Sequence, residues 1–407
     1  MANRVVIIGA GHAGGTAAAL LRQYGHEGPI LLAGEEPAAP YQRPPLSKAW
    51  LKGEADLEAL LLRPESFYAE HDIDLRTGVT ATAIDPVAKT VTFADGTVEP
   101  YDFLILATGS TARKLALPGA DRPDLLELRT LADAERLKAV LAPGKRLAVV
   151  GGGYVGLEAA ASAQALGAEA VVIERMDRVL ARVASQTLSD FFTAYHRARG
   201  VEILTAAEVT GFEPEGVRLA DGRLVRADAV LVGVGAQACL ALATTAGLAC
   251  QNGVVVDETA RTSDANIWAI GDVTWRPVPV HEGRMHRLES VPNALEQAKQ
   301  AASAIVGRPA PAHEVPWFWS DQYDLKLQIA GLPDDADRQV VRGDPANTAD
   351  GASLAVFHLK GDRIVSVEAV NAPTEFMGGR QLIQRGTPVD VEKLADPAVS
   401  MKAVATA

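Results

Sequence analysis

VVIIGAGHAGG, Val5 to Gly15, runs four apolar β-formers straight into Gly9-x-Gly11-x-x-Gly14, and an Ala/Leu-rich, helix-forming stretch follows. A buried strand, a tight glycine turn and a helix start, in that order, are what a dinucleotide pyrophosphate requires. Gly9 permits the turn, Gly11 lets the backbone approach the phosphates, and Gly14 lets helix and strand pack closely, while the helix N-terminus offers unpaired N–H donors. Glu35 stands twenty-one residues after Gly14, at the end of the next apolar run, Ile30 to Ala33. A carboxylate there is placed to accept hydrogen bonds from a ribose hydroxyl.

The pattern occurs twice. LAVVGGGYVG sets Gly151, Gly153 and Gly156 in the same frame, followed by a helical stretch to Leu166, a strand at Ala170 to Ile173, and Glu174 at its end. The two copies also share what comes later. Thr80 to Ile84 and Thr90 to Phe93 read as short strands, Asp95-Gly96 as a hairpin turn, and Phe103 to Ala107 as a buried strand ending in Thr108-Gly109. Val217 to Leu219, Asp221-Gly222, and Ala229 to Val234 before Gly235 repeat that order. The offset between copies is 142 residues at the first glycine and 126 at the hairpin, so the first copy carries 16 extra residues. Thirteen of these fall between Glu35 and Asp95, a span that includes Tyr41-Gln-Arg-Pro-Pro-Leu-Ser-Lys48, either a plain surface loop or an added site segment in which Arg43 and Lys48 face phosphate or an anionic ring.

Ile267 to Ile270 reads as a further strand, ending in Gly271-Asp272, and Pro292 to Val306 as a helix opened by Ser290. Asp272 is either a turn residue or a carboxylate set to bind a polyol hydroxyl. Val315 to Gly331, VPWFWSDQYDLKLQIAG, concentrates aromatics in a chain with 5% of them. Strand alternation at Leu354 to Leu359 and Arg363 to Val367 points to an α+β tail domain. Trp317 and Trp319 suit either core packing or a cofactor's edge.

The chain has 407 residues, enough for two or three domains, with 48% hydrophobic and 22% charged residues. Its formal net charge of −12 argues against nucleic-acid or anionic-membrane partners. No apolar run reaches 18 residues and Val5 already lies in a strand, so neither a membrane span nor a leader is expected, and the cytoplasm is the default. Cys239 and Cys250 are the only cysteines and lie outside any C-x-x-C context, so a redox dithiol is not expected. No metal site is expected.

Taken together, GAGHAG, YQRPPLSK, LILATG, GGGYVGLEAA, IWAIGD, ESVPNALEQAK and WFWSDQY, in that order, resemble the FAD-dependent ferredoxin reductases of oxygenase systems, of the putidaredoxin reductase and biphenyl dioxygenase reductase type. The resemblance covers essentially the whole chain. It implies an α/β fold with two Rossmann-like nucleotide-binding domains, glutathione-reductase-like, plus a C-terminal α+β domain. The FAD-binding domain would be split over 1–109 and 236–315, the NAD(H)-binding domain would span 110–235, and the C-terminal domain 316–407. It also implies that FAD is held through Ala13, Glu35, Lys48, Ala81, Arg129, Asp272 and Val291, that Glu158 lies near the nicotinamide and can pair with Lys48, that Glu174 binds the adenosine ribose, and that Trp319 stands beside the flavin. Ala238-Cys239 departs from the family's Pro-Asn pair.

The implied activity is transfer of electrons from NADH through FAD, one at a time, to a small acidic [2Fe–2S] ferredoxin that feeds a P450 or a Rieske dioxygenase, by a monomer or weak homodimer. Two other readings are a flavin reductase or oxidase using a small acceptor or rubredoxin, and a nucleotide-dependent signalling flavoprotein. For nucleotide choice, Glu174 favours NADH while Arg175 pulls the other way. Because chain and ferredoxin would both be acidic, docking requires a local basic surface. The densest candidate is Arg276 to Arg287, with Arg276, Arg284, Arg287, His281 and His286.

Overall fold

The computed structural model describes residues 3–406. The chain folds into two compact units, each assembled from separated stretches. The first comprises the N-terminal stretch to Arg43, Asp56–Thr111 and Gln237–Pro316; the second comprises Pro44–Ala55, Ala112–Ala236 and the chain from Trp317 onward.

In the first unit, Val5–Ile8 is the middle strand of a five-stranded parallel sheet. Ile30–Ala33 and then Ile73–Arg76 lie to one side of it, and Phe103–Leu106 and then Ile267–Ala269 to the other. The continuous apolar runs read from the sequence are strands covered on both faces: all of Val5–Ile8 and Ile30–Ala33 is buried. Successive strands leave Val5–Ile8 in opposite directions across the sheet, so the glycine turn after Ile8 sits at a topological switch point, where α/β sheets open a crevice beyond their strand ends. The helix His12–Gln23 packs against Val291–Ile305, whose N-terminus is capped by the Ser290 hydroxyl accepting from the Asn293 N–H. A three-stranded antiparallel sheet, Ala81–Asp85, Thr90–Phe93 and Val98–Pro100, turns at Gly96 with φ +86°.

The second unit repeats the plan. Arg146–Val150 is central to a parallel sheet with Glu169–Ile173 and Glu202–Leu204 on one side and Ala229–Val232 and Leu125–Leu126 on the other. Val209–Glu213, Gly216–Leu219 and Leu224–Arg226 form the matching antiparallel sheet. The aromatic-rich segment forms the hairpin Trp317–Gln322 and Leu325–Gly331, which leads a five-stranded antiparallel sheet completed by Arg363–Val370, Leu354–Lys360 and Arg338–Gly343. The helix Pro373–Arg385 covers that sheet. Two parallel Rossmann-like sheets and an antiparallel C-terminal domain are thus the fold expected from the repeat. Among the described residues no helix is long and apolar enough to cross a membrane.

Candidate functional site: twin dinucleotide cradles and a buried ion pair

The three glycines of the first turn do three different jobs. Gly9 has φ +112°, and a Cβ there would lie 2.1 Å from the Ala107 carbonyl oxygen. A Cβ on Gly14 would lie 1.9 Å from the Gly9 carbonyl oxygen, so helix and turn touch backbone to backbone. A Cβ on Gly11, by contrast, would meet nothing within 4 Å. Gly11 is also the N-cap of His12–Gln23, and it offers no side chain to the first N–H groups of that helix. An open face over uncapped helical donors fits a pyrophosphate, since those N–H groups need an acceptor and the helix end favours negative charge.

The second turn has the same geometry. Gly151 has φ +111° and a Cβ there would lie 2.3 Å from the Gly233 carbonyl oxygen, Gly156 would meet the Gly151 carbonyl oxygen at 2.2 Å, and Gly153 again faces open space. Gly153 caps Tyr154–Ala165 with no side-chain acceptor, whereas Thr130 and Ser185 cap their helices with hydroxyls. Glu174 does more than stand at a strand end: its Oε2 accepts the Gly152 N–H and its Oε1 the Met176 N–H, each at 2.8 Å. The carboxylate therefore braces the second turn from the side.

Around the first turn, Ala13 lies under Gly271, where a Cβ would approach the Ala13 methyl to 3.1 Å. Asp272 accepts from the Ser110 hydroxyl at 3.3 Å, and Thr108 donates to the Cys239 carbonyl at 3.2 Å. Thr108-Gly109 therefore sits at the far end of Phe103–Leu106, with Gly109 at φ +65°. Burial lowers the pKa of His12, opposed by Asp272 nearby, and its Nδ1 is a buried atom without a protein partner. Arg43 binds Glu36 at 2.5 Å and stacks over the Tyr41 ring. Burial acts to lower its pKa, but Tyr41 and Glu36 outweigh that and hold it raised. Glu35 is exposed, Ala81 begins its strand half-buried, and Val291 is the first residue of its helix.

Lys48, Arg129, Glu158 and Trp319 belong to the second unit. Lys48 Nζ lies 2.8 Å from Glu158 Oε2, so the pair expected from the sequence is present. The same oxygen accepts from the Ser47 hydroxyl at 2.5 Å, and Oε1 accepts from the Ser320 hydroxyl at 2.6 Å. Glu158 is 5% exposed, not the helix-surface residue that its place in a first turn suggests. Three donors on a buried carboxylate fix it in one orientation. Arg129 is half-buried just before the Thr130 cap, and its N–H bonds the Asp133 carboxylate. Trp317 and Trp319 share one face of their strand, with ring centroids 5.7 Å apart, while Phe318 and Ser320 turn to the other face, Phe318 packing on Tyr154.

Sequence reasoning missed Ser47, Ser320, Glu36 and Tyr41. The first two reach Glu158 across 111 and 162 residues of chain, and no local pattern announces a serine's distant partner. The basic surface expected over Arg276 to Arg287 loses two of its five groups to the interior. Arg276 is 3% exposed and bonded through both terminal nitrogens to Glu296, and His281 is buried too. Arg287 keeps a 14% exposed side chain paired with Glu289, and Arg284 is half-buried with its Nε on the His281 carbonyl. The reason was legible: Thr274–Val278 alternates buried and half-buried residues, which puts Arg276 on the inner face.

Comparison with known proteins matches nearly the whole chain. Residues 3–298 match the family model described as pyridine nucleotide-disulphide oxidoreductase, and residues 317–405 match the reductase C-terminal family. The chain is 52% identical over 407 residues to "Probable ferredoxin reductase CtmF" of Castellaniella defragrans, covering 99% of this chain and 98% of that one. It is 44% identical over 408 residues to the 5,5'-dehydrodivanillate O-demethylase ferredoxin reductase subunit of a Sphingobium species, again covering 99% and 98%. Among solved structures, the covalent putidaredoxin reductase–putidaredoxin complex superposes with a TM-score of 0.95 at 40% identity, over 98% of this chain and 97% of that one.

Proposed function

The chain belongs to the pyridine nucleotide-disulphide oxidoreductases, among the FAD-dependent ferredoxin reductases of oxygenase systems, and from that membership we propose that it carries electrons from NADH to a small [2Fe–2S] ferredoxin serving a P450 or a Rieske dioxygenase. The observation that carries the reading is the pair of glycine turns, each with its middle glycine open over an uncapped helix end. Membership in the family implies FAD and a pyridine nucleotide, and two cradles in one chain match two dinucleotides. Bound FAD would supply the conversion between a hydride's paired electrons and single-electron delivery.

In this reading residues 1–109 and 236–315 form the FAD domain, 110–235 the NAD(H) domain and 316–407 the C-terminal domain. Gly9, Gly11 and Gly14 cradle the FAD pyrophosphate, and Ala13, Glu35, Arg43, Ala81, Thr108, Gly109, Asp272 and Val291 surround that cofactor, joined by Lys48 and Arg129. Gly151, Gly153 and Gly156 hold the pyridine nucleotide. Glu174 accepts from the ribose 2′-hydroxyl and repels a 2′-phosphate, which favours NADH over the opposing pull of the exposed Arg175. Glu158 and Lys48 lie on the nicotinamide side, where a fixed carboxylate and ammonium orient the ring, and Trp319 stands at the flavin. Cys239 and Cys250 lie eleven positions apart and neither sits in a C-x-x-C spacing, which supports delivery to an external carrier over an internal dithiol.

Cytochrome c reduction tests the proposal. With purified enzyme, FAD and NADH, turnover is expected only when a [2Fe–2S] ferredoxin is added. Equal turnover without ferredoxin would favour a small-acceptor reductase, and a stable NADH-reduced enzyme that passes electrons to no added carrier would favour a signalling flavoprotein.

A further inference from the structure

Behind Ser320, within the second unit, a file of buried polar groups continues away from Glu158. Gln322 Nε2 donates to Ser320 Oγ at 3.1 Å, His196 Nε2 lies 2.7 Å from Gln322 Oε1, and Tyr323 Oη lies 3.4 Å from His196 Nδ1. Ser320, Gln322 and His196 are all essentially excluded from solvent. His196 comes from the helix Gln186–Ala198, Ser320 and Gln322 from the inward face of Trp317–Gln322, and Glu158 from Tyr154–Ala165.

The direction of these bonds follows from counting protons. Ser320 has one hydroxyl proton. If the Gln322 amide presented its oxygen to Ser320, that proton would be drawn away and Glu158 Oε1 would lose its donor, leaving a buried charge under-bonded. With the amide nitrogen toward Ser320, the hydroxyl must donate to Glu158. Gln322 Oε1 then requires a proton on His196 Nε2, and the bare Nδ1 becomes an acceptor for Tyr323. Every donor therefore points toward the carboxylate. Burial keeps His196 neutral, with its pKa lowered to about 4, which is compatible with a single ring proton.

We propose that His196, Gln322 and Ser320 form a one-directional hydrogen-bond chain that positions the Glu158 carboxylate for the nicotinamide-side role assigned above, with Ser320 and Gln322 as positioning residues of the hydride-transfer step. The proposal rests on that reading of Glu158. Lys48 and Ser47, from Pro44–Ala55, hold one carboxylate oxygen, and the chain holds the other, so rotation of the carboxylate breaks a bond at one end or the other. This also gives Ser320 and Gln322 of the aromatic-rich motif a task separate from that of its tryptophans.

Three measurements on the FAD-loaded enzyme test it. In stopped-flow, Ser320→Ala is expected to slow the limiting rate of flavin bleaching by NADH about tenfold, the scale of one hydrogen bond to a charged group. The dissociation constant for NAD⁺, read by equilibrium titration, should move less than about threefold, since the bond lost orients the ring more than it binds the nucleotide. Ser320→Thr, which keeps the hydroxyl, should recover most of the rate. Nitrogen-15 histidine NMR of the wild type without nucleotide should find His196 protonated at Nε2, and Gln322→Met should disturb that signal. An unchanged rate in Ser320→Ala, failure of threonine to restore it, or a proton at Nδ1 would each overturn the chain. Glu158→Gln separates the two levels: if it too leaves flavin reduction unchanged, the reading of Glu158 fails with the chain, whereas a slow Glu158→Gln beside a normal Ser320→Ala refutes the chain alone.

Discussion

Replacing Glu174 by alanine removes two things at once, and the structure says how each acts on nucleotide choice. The first is the brace on the second glycine turn, where the carboxylate accepts the Gly152 and Met176 N–H groups at 2.8 Å each. Its loss burdens NADH and NADPH alike and cancels in their ratio. The second is the charge itself. NADH would lose a charge-assisted bond to its 2′-hydroxyl, about 1.5–3 kcal/mol. NADPH would be relieved of a repulsion of about 1 kcal/mol in a solvent-like setting and about 4 kcal/mol where the effective dielectric is lower. The two effects act in the same direction on the ratio, so the preference for NADH should shrink by at least roughly two orders of magnitude. The assay is kcat/KM for each nucleotide with ferricyanide as acceptor, which leaves ferredoxin out of the comparison. If wild type uses both nucleotides equally, the assignment of Glu174 is wrong at the outset. If alanine lowers both values together and the ratio moves less than about threefold, Glu174 is a loop brace only.

Arg276→Met should cost about 3–5 kcal/mol in urea unfolding, because it strands Glu296 in the interior, and Arg276→Met with Glu296→Met should recover part of that; a single-variant cost below about 1 kcal/mol would refute the buried pairing. Gly34→Ala should destabilise by about 1–3 kcal/mol, since its Cβ would lie 2.4 Å from the Ala10 methyl, and Ala10→Gly in the same chain should relieve the clash; equal loss in single and double variants would place the strain elsewhere. His196 is held near pKa 4 chiefly by burial, helped by Arg199 and opposed by the Gln322 bond, against 6.5 when unfolded. The unfolded chain therefore binds the proton first, so this contribution is complete above pH 6.5 and falls by about 3 kcal/mol as the pH drops toward 4; a His196→Asn variant should show a flatter decline, and an equally steep one would refute the assignment.

How much of this was legible in the sequence depended on whether the deciding interaction was local. Val5–Ile8 and Ile30–Ala33 were bounded to the residue, because a strand buried on both faces is a plain apolar run and glycine or polar residues stop it. The Asp95-Gly96 and Asp221-Gly222 turns were readable for the same reason, both glycines having φ +86°. Glu158 was legible as an ion-pair partner of Lys48 only through family resemblance, and its depth was not legible at all: a carboxylate two residues after Gly156 looks solvated until the Trp317–Gln322 strand is laid over it. Arg276 misled in the opposite sense. Counting cations along Arg276 to Arg287 gave a patch, whereas the alternation of Thr274–Val278 and a glutamate on a helix twenty residues on gave a buried pair.

The two modules share a register, and that register shows where they part. Ile8 pairs with Ala33 and Val150 with Ile173, so the first residue past the strand is Gly34 in one copy and Glu174 in the other. Glu35 is therefore not the positional equivalent of Glu174; it falls level with Arg175, one residue farther along. The exchange is steric as well as chemical. The residue after the first turn glycine is Ala10 in the first copy and Gly152 in the second, and each faces the post-strand position across a gap with room for one side chain. A Cβ on Gly34 would strike Ala10 at 2.4 Å, and a Cβ on Gly152 would approach the Glu174 Cβ to 3.2 Å and its carboxylate to 3.3 Å. In the first copy the clash leaves room for only one of the two side chains, and in the second a Cβ on Gly152 would crowd both Val179, at 3.0 Å, and Glu174, so the small residue at 152 leaves the carboxylate space to fold back onto the turn. In the second copy it does, so the residue read as choosing the nucleotide also sets the shape of the pyrophosphate loop. In the first copy the methyl of Ala10 takes that space, and the carboxylate read as the ribose ligand, Glu35, stands one residue farther out in an exposed position. Loss of Glu35 should accordingly weaken one cofactor contact and leave the first turn intact, whereas loss of Glu174 cannot avoid disturbing the second.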